Sequence, residues 1–356
     1  MTILVRGDPM DDHDSDSAFA TLMRARRFTA PELPTEPPSG AALAAADRAS
    51  RSWTSTQAGP LAIGSQAHKR ETCRMFLETF NPYRPSVIAW PKLTPEMIER
   101  VTSLPIWDIA VHTESRARLR FASYANAVAD PDIAGAVMLN AWEESRHKEV
   151  IAALVATYGI KLAPEPPFKP PRDPQWAYLL TGHQECVDSF FAFGLFELAR
   201  RSGYFGTELV ETFEPEIQEE CRHILLFANL VAWERANLPW WRRIAFELRI
   251  LGVWAYIAWE RMVLARSLSP KGHGAGQDAN FTASTAQSMS AVEIDARDLI
   301  EICLKENDRR FAGYDARLVR PTFIPRLARF ALRFIKSRKP RPPAAADRLE
   351  SGPQNL

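Results

Sequence analysis

Glu143-Glu144-Ser145-Arg146-His147 and Glu219-Glu220-Cys221-Arg222-His223 are near-identical pentapeptides, each set in a long helical stretch. Residues at i and i+3 share a helix face. Glu144 therefore offers a carboxylate oxygen and His147 an imidazole nitrogen to one ion, and Glu220 and His223 repeat the arrangement. Two such Glu-x-x-His units are half of a carboxylate-bridged two-metal centre, which further helices complete with one glutamate each. Two more carboxylates are required upstream, at matching heights.

They occur in a symmetric pattern. His112-Thr113-Glu114 precedes the first pentapeptide and His183-Gln184-Glu185 the second, so the chain reads as two copies of one helix-pair unit. In an antiparallel hairpin, residues at equal height are equidistant from the turn. The midpoint of 114 and 144 falls at 129, beside the helix-start signal Asp130-Pro131, and that of 185 and 220 falls near 202, beside Gly203 and Gly206. Both pairs come out level. Asp188 and Glu197 lie on the same helix as Glu185 and remain alternatives to it, although Arg200 and Arg201 give Glu197 an ion-pair role. His112 and His183 are turned about 200° from the adjacent glutamate on an ideal helix, which suits roles behind the ligands or in packing.

The faces around these residues are apolar. Glu144 shares a stripe with Ile133, Val137, Ile151 and Leu154, Glu220 with Phe213, Ile217, Ile224 and Phe227, and Glu114 with Trp107, Val111 and Phe121. A carboxylate turned toward a core is costly unless paired or bound to metal. The face of Glu185 is made of small residues, Gly182, Ser189 and Ala192, which leaves space beside the site. The competing reading is a set of salt-bridged surface helices with chance motif matches.

Helix punctuation completes the organisation. Thr94-Pro95 opens a short helix, Pro105 the one carrying Glu114, and Asp130-Pro131 the one carrying Glu144, which stops at Gly159. Ile160 to Asp173 holds five prolines and reads as an extended crossover. Its fourteen residues reach roughly 45 Å, about the length of a helix of 28 residues. Asp173-Pro174 opens the third long helix, a fourth is expected from about Glu214 to Asn237, and Pro239 opens a fifth. The expected fold is all-α: a four-helix bundle with one long crossover plus extra C-terminal helices, with the bundle over 67–268, a loop over 269–289, C-terminal helices over 290–337 and a basic, Pro-rich tail over 338–356. Residues 1–66 show little sustained periodicity and read as largely disordered.

With 44 Lys and Arg against 43 Asp and Glu, the 356-residue chain carries a net charge of +1, which gives no global pull toward nucleic acid. Its four cysteines have no metal-finger or redox spacing, and the first residues lack a secretory pattern, so a cytoplasmic location is expected.

The strings Trp142-Glu143-Glu144-Ser145-Arg146-His147 and Thr181-Gly182-His183-Gln184-Glu185 resemble segments of acyl-carrier-protein desaturases, and residues 100–237 as a whole resemble the ferritin-like di-iron carboxylate superfamily. One motif copy in that family begins Asp-Glu, so the second copy here departs slightly. The resemblance implies six metal ligands, Glu114, Glu144, His147, Glu185, Glu220 and His223, holding two iron ions, with manganese the alternative metal. It implies supporting roles for Glu143, Arg146, Glu219 and Arg222, for which ordinary ion pairs are the plainer alternative. It further implies an oxygen-dependent oxidase, oxygenase or desaturase acting on an acyl chain, amine or other small molecule. Reducing equivalents would come from an external donor such as a ferredoxin, because no flavin or nicotinamide fingerprint is present. Ferritin-like iron oxidation or storage, and a metal-free structural bundle, are the alternative readings. Bundles of this kind often form homodimers.

Downstream, Ile250 to Trp259 is apolar but too short to span a bilayer, which takes about twenty residues; Trp254 and Trp259 read as core. Phe323 to Lys336 interleaves apolar residues with Arg326, Arg329 and Arg333. That pattern suits an amphipathic helix facing an anionic membrane, an acidic carrier protein, or the bundle itself.

Overall fold

A computed structural model of the chain describes residues 14–36, 39–104, 106–267 and 295–335. Pro105, the 269–289 loop and the 338–356 tail lie outside the described residues. The described residues form eleven α-helices and no strand: α1 Asp14–Arg26, α2 Gly40–Ser50, α3 Gln66–Glu78, α4 Pro95–Thr102, α5 Trp107–Ala127, α6 Pro131–Tyr158, α7 Pro174–Ser202, α8 Thr207–Asn237, α9 Trp240–Ser267, α10 Ala296–Phe311 and α11 Phe323–Ala331. The described residues are all-α, as the 3.6-residue periodicity requires.

The boundaries follow from capping chemistry. The Asp130 carboxylate accepts from the backbone N–H groups of Asp132 and Ile133 ahead of Pro131, and Gly159 closes α6 at φ 68°. Asp173 caps α7 through the N–H of Trp176, and Gly203 ends it at φ 62°. Thr94 caps α4. The expected start of α8 near Glu214 is corrected: the helix begins two turns earlier, at Thr207 after Gly206, and carries Pro215 inside it. Pro215 only forfeits one N–H and leaves the helix running, because the packed turns on either side hold it.

Helices α5 and α6 pair across a short turn, and so do α7 and α8. Helix α5 also packs on α7, and α3 lies against both α6 and α8. The connection from Ile160 to Asp173 is extended, as its prolines dictate. Four long helices thereby enclose one core, with Val137, Phe121, Leu179 and Leu225 almost completely buried.

The N-terminal expectation is corrected for the described residues 14–36 and 39–65, which carry α1 and α2, with α1 packed on α5 and α2 touching α8. Helix α3, inside the expected 67–268 bundle, contributes Met75 and Phe76 to the core. Phe19 is buried under the Arg118 guanidinium, and Trp53 pairs with Tyr314 in a parallel bridge. Isolated large residues anchor these segments. Such anchors leave no periodic trace in the sequence.

Candidate metal centre

Glu144 and His147 on α6 meet Glu220 and His223 on α8 inside the bundle, with one ligand-type atom from each lying within 4.8 Å of the others. His147 Nδ1 lies 3.3 Å from Glu220 Oε1 and 3.9 Å from Glu144 Oε2. His223 Nδ1 lies 2.9 Å from Glu144 Oε1 and 3.9 Å from Glu220 Oε1. Each glutamate thus reaches both imidazoles, an arrangement suited to bridging two ions.

The remaining motif residues cross over. Glu143, next to the first ligand pair, accepts from His223 Nε2 at 2.9 Å and from Arg222 Nη1 at 2.9 and 3.1 Å. Glu219, next to the second pair, accepts from His147 Nε2 at 2.8 Å, Arg146 Nη2 at 2.6 Å and the Tyr83 hydroxyl at 3.1 Å. All four charged groups, Glu143, Arg146, Glu219 and Arg222, are at most 2% exposed. They are the posts behind the histidines, not surface ion pairs.

A carboxylate on Nε2 fixes that nitrogen as the N–H donor and directs the lone pair of Nδ1 inward. Both Nδ1 atoms are buried and lack an aligned hydrogen-bond partner, as does Glu144 Oε1. The 2.9 Å approach between His223 Nδ1 and Glu144 Oε1 is therefore two ligand atoms converging on the same space. These orphaned atoms fit a metal ion. Without one, the carboxylates hold protons on the imidazoles: burial opposes the charge on His223, but Glu144 and Glu143 outweigh it and lift its pKa to about 10.

Glu114 and Glu185 lie on the same cavity wall. Glu114 Oε2 is 3.9 Å from His147 Nδ1. Glu185 Oε2 is buried without a partner. Burial, and then the neighbouring Glu144 carboxylate, push both carboxyls well above the usual carboxylate range. Glu114 thus reaches the four-residue group, and Glu185 lines the same cavity as Glu114, Glu144 and Glu220.

Of the two roles expected of His112 and His183, behind the ligands or in packing, the structure shows packing. His112 packs edge-on against Phe168, and His183 sits between Phe227 and Trp254, each ring 5.0 Å away. Neither hydrogen-bonds a site residue. Their i−2 offset turns them off the ligand face into aromatic pockets. Burial, followed by the charge of Arg235, pushes the His183 imidazole down to about 4. Asp188 is held by Arg261 at 2.8 Å, and Glu197 by Arg200 and Arg201, so both alternatives to Glu185 fall away.

Three supporting residues escaped the sequence reading. Tyr83 and Thr79, the latter accepting from Arg222 Nε at 2.8 Å, come from α3 and the loop after it, where no local signal marks them. Glu216 on α8 lies one turn before Glu220 and lines the same cavity; its Oε2 is unpartnered, and burial raises its carboxyl to about 8. The i−4 spacing from Glu220 was the available signal.

Beside the carboxylates runs a cavity of about 330 Å³. Ile151, Leu195, Phe205 and Phe213 give it an apolar lining, while Arg116, Gln184, Glu260 and Arg261 make another part of its wall polar. Ser189 and Ala192 line it, as their small size suggests, but the space next to Gly182 is taken by the Phe227 ring, only 2.2 Å from where a Cβ would stand.

Comparison of the chain with known proteins finds no matching family model, no similar curated protein and no similar solved structure.

Proposed function

We propose that the chain is an oxygen-dependent oxidoreductase with a two-iron centre in a ferritin-like four-helix bundle, acting on a small, largely apolar organic molecule. The observation that carries the reading is the pair of buried, unpartnered Nδ1 atoms, each aimed at two carboxylates and each backed by a carboxylate–arginine pair. Glu144, His147, Glu220 and His223 would hold the ions, with Glu114 and Glu185 completing the set. Manganese is the alternative metal, because donor type alone does not separate the two.

Bound iron would supply the reduction of dioxygen, for which an external donor such as a ferredoxin provides electrons. The chain's own residues orient and exclude. Glu143 and Glu219 fix the imidazole tautomers, while Arg222 and Arg146 keep those carboxylates ionised inside the core. The apolar part of the cavity holds substrate away from water next to the carboxylates, and Glu216, one turn from Glu220, lines the same cavity. The apolar cavity favours an organic substrate over iron storage, which has no use for one.

The test is metal content after purification under reducing, iron-supplemented conditions, followed by optical spectra on mixing the ferrous protein with oxygen. About two irons per chain, lost in Glu144→Ala and Glu220→Ala, and a transient visible band are expected. Folded protein that takes up neither iron nor manganese would end this reading.

A further inference from the structure

Helix α9 is apolar on two opposite sides. Phe246, Ile250, Val253 and Ile257 are buried. At about 100° per residue, the opposite side presents Trp241, Ile244, Leu248, Leu251, Trp259 and Met262, each 54–64% exposed. Trp259, expected in the core, belongs to this outer stripe, while Trp254 packs at its edge against Phe323, ring centroids 4.7 Å apart. The charged residues of the helix up to Val263 all fall on the flanks, where Glu247 is paired with Arg235. This uncharged stripe is about 30 Å long at 1.5 Å per residue and is exposed along its length.

Helix α11 extends the surface. Phe323, Leu327, Phe330 and Phe334 follow one another at helical spacing and are 53–70% exposed, while Pro325 and Ala328 on the other side are buried. Together the two helices leave ten large apolar side chains 53–70% exposed, and contiguous apolar patches beyond a few hundred Å² mark interaction sites. The rim is cationic at α11, where Arg326 and Arg333 flank the stripe and residues 323–335 contain no acidic residue, while Arg329 is held by Asp308 at 3.1 Å; beside α9, Arg242 and Arg243 lie with Glu247, and Arg249 is held by Asp173 at 2.6 Å.

We propose that α9 and α11 form a docking face for an anionic phospholipid bilayer. Charge decides between the occupants. A second copy placed on this face by a two-fold axis through α11 would set Arg326 and Arg333 against the same segment 323–335, which has no carboxylate to meet them. A bilayer surface offers phosphates to the arginines and hydrocarbon to the stripe, with indole rings at the boundary. No helix among the described residues is long and apolar enough to cross a membrane, so the contact lies in the plane of the interface. The same helix walls the cavity through Tyr256, Glu260 and Arg261, and Tyr256 is also 40% exposed. An apolar molecule leaving the bilayer would thus meet the cavity at α9.

The test is co-sedimentation of the full chain with phosphatidylcholine vesicles, with and without phosphatidylglycerol; it does not depend on metal loading. Binding to the anionic vesicles is expected, with a blue shift in tryptophan emission. Leu251→Glu with Trp259→Glu should reduce binding to background at unchanged helical content, since both side chains face outward. Each arginine near an anionic surface contributes a factor of about five, so Arg326→Gln with Arg333→Gln should weaken binding about 25-fold. The proposal is overturned by absence of vesicle binding in the wild type, or by binding that survives the glutamate pair. It is equally overturned if sedimentation velocity finds a dimer that the glutamate pair dissociates, which would make a second copy the occupant.

Discussion

Replacing Glu143 by glutamine isolates what the carboxylate behind His223 does. The side chain is completely buried and accepts from Arg222 Nη1 at 2.9 and 3.1 Å and from His223 Nε2 at 2.9 Å. An amide keeps the volume and one acceptor oxygen. Its NH2 group, however, must face a guanidinium or an imidazole N–H, and the buried Arg222 cation loses its counter-charge. Removing one partner of a buried pair costs about 3–5 kcal/mol. Arg222 still donates to Thr79 Oγ1 and the Phe76 carbonyl, which places the expectation near the lower end, at about 3 kcal/mol, or roughly 6 °C in Tm for a chain of this size. Glu219→Gln, which disturbs the equivalent contacts of Arg146, His147 and Tyr83, should cost a similar amount.

The pH dependence has a definite sign. Burial opposes ionisation of Glu143, but Arg222 and His223 outweigh it and hold the carboxyl below its ordinary value of 4.5. Its contribution is therefore present above pH 4.5 and is lost as pH falls toward the lower folded value. Denaturant unfolding of the metal-free chain, followed by far-UV circular dichroism from pH 7 to pH 4, reads both quantities. The gap between wild type and Glu143→Gln should be constant near neutrality and narrow in acid. Metal affinity should fall about 10- to 100-fold as the His223 tautomer loosens. A cost below 1 kcal/mol in a folded variant, or a gap that widens in acid, would refute the role assigned to this carboxylate.

Glu114→Gln and Glu185→Gln should stabilise the metal-free chain at pH 7 by roughly 1–2 kcal/mol while weakening metal uptake. Both carboxyls are raised by burial and by the Glu144 charge, so the unfolded state ionises more readily and stability falls as pH rises above 4.5; unchanged or lower thermal stability would contradict this. Uptake of a divalent ion at neutral pH should release protons and strengthen as pH rises toward 10, because the His223 proton, retained by Glu144 and Glu143 against burial, must leave before Nδ1 binds; calorimetry in buffers of different ionisation enthalpy measures this, and zero proton release would count against Nδ1 as ligand. Gly194→Ala should destabilise by about 1–3 kcal/mol, since the new Cβ would stand 2.2 Å from Cys303 Sγ and 2.9 Å from its Cα. Gly135→Ala in α6 meets nothing within 4 Å and should stabilise by about 0.5–1 kcal/mol, so equal effects of the two in urea unfolding would show that the α7–α10 approach is loose.

The all-α class, the ends of α6 and α7 and the pairing of two Glu-x-x-His units were legible in the sequence because each depends on neighbours within one or two turns. Caps at Asp130 and Asp173, left-handed glycines at 159 and 203 and the i,i+3 spacing are local matters. Tertiary structure decided what depends on residues far apart in the chain. It crossed Glu143 to His223 and Glu219 to His147, which no spacing within one helix specifies. It brought Tyr83 and Thr79 behind the site from a segment without periodicity, and turned His112 and His183 into aromatic packing. It also separated the two apolar faces of α9. A sequence records that a residue is apolar, whereas only the packing of the other helices determines which of two apolar faces meets the core and which is left to face a partner.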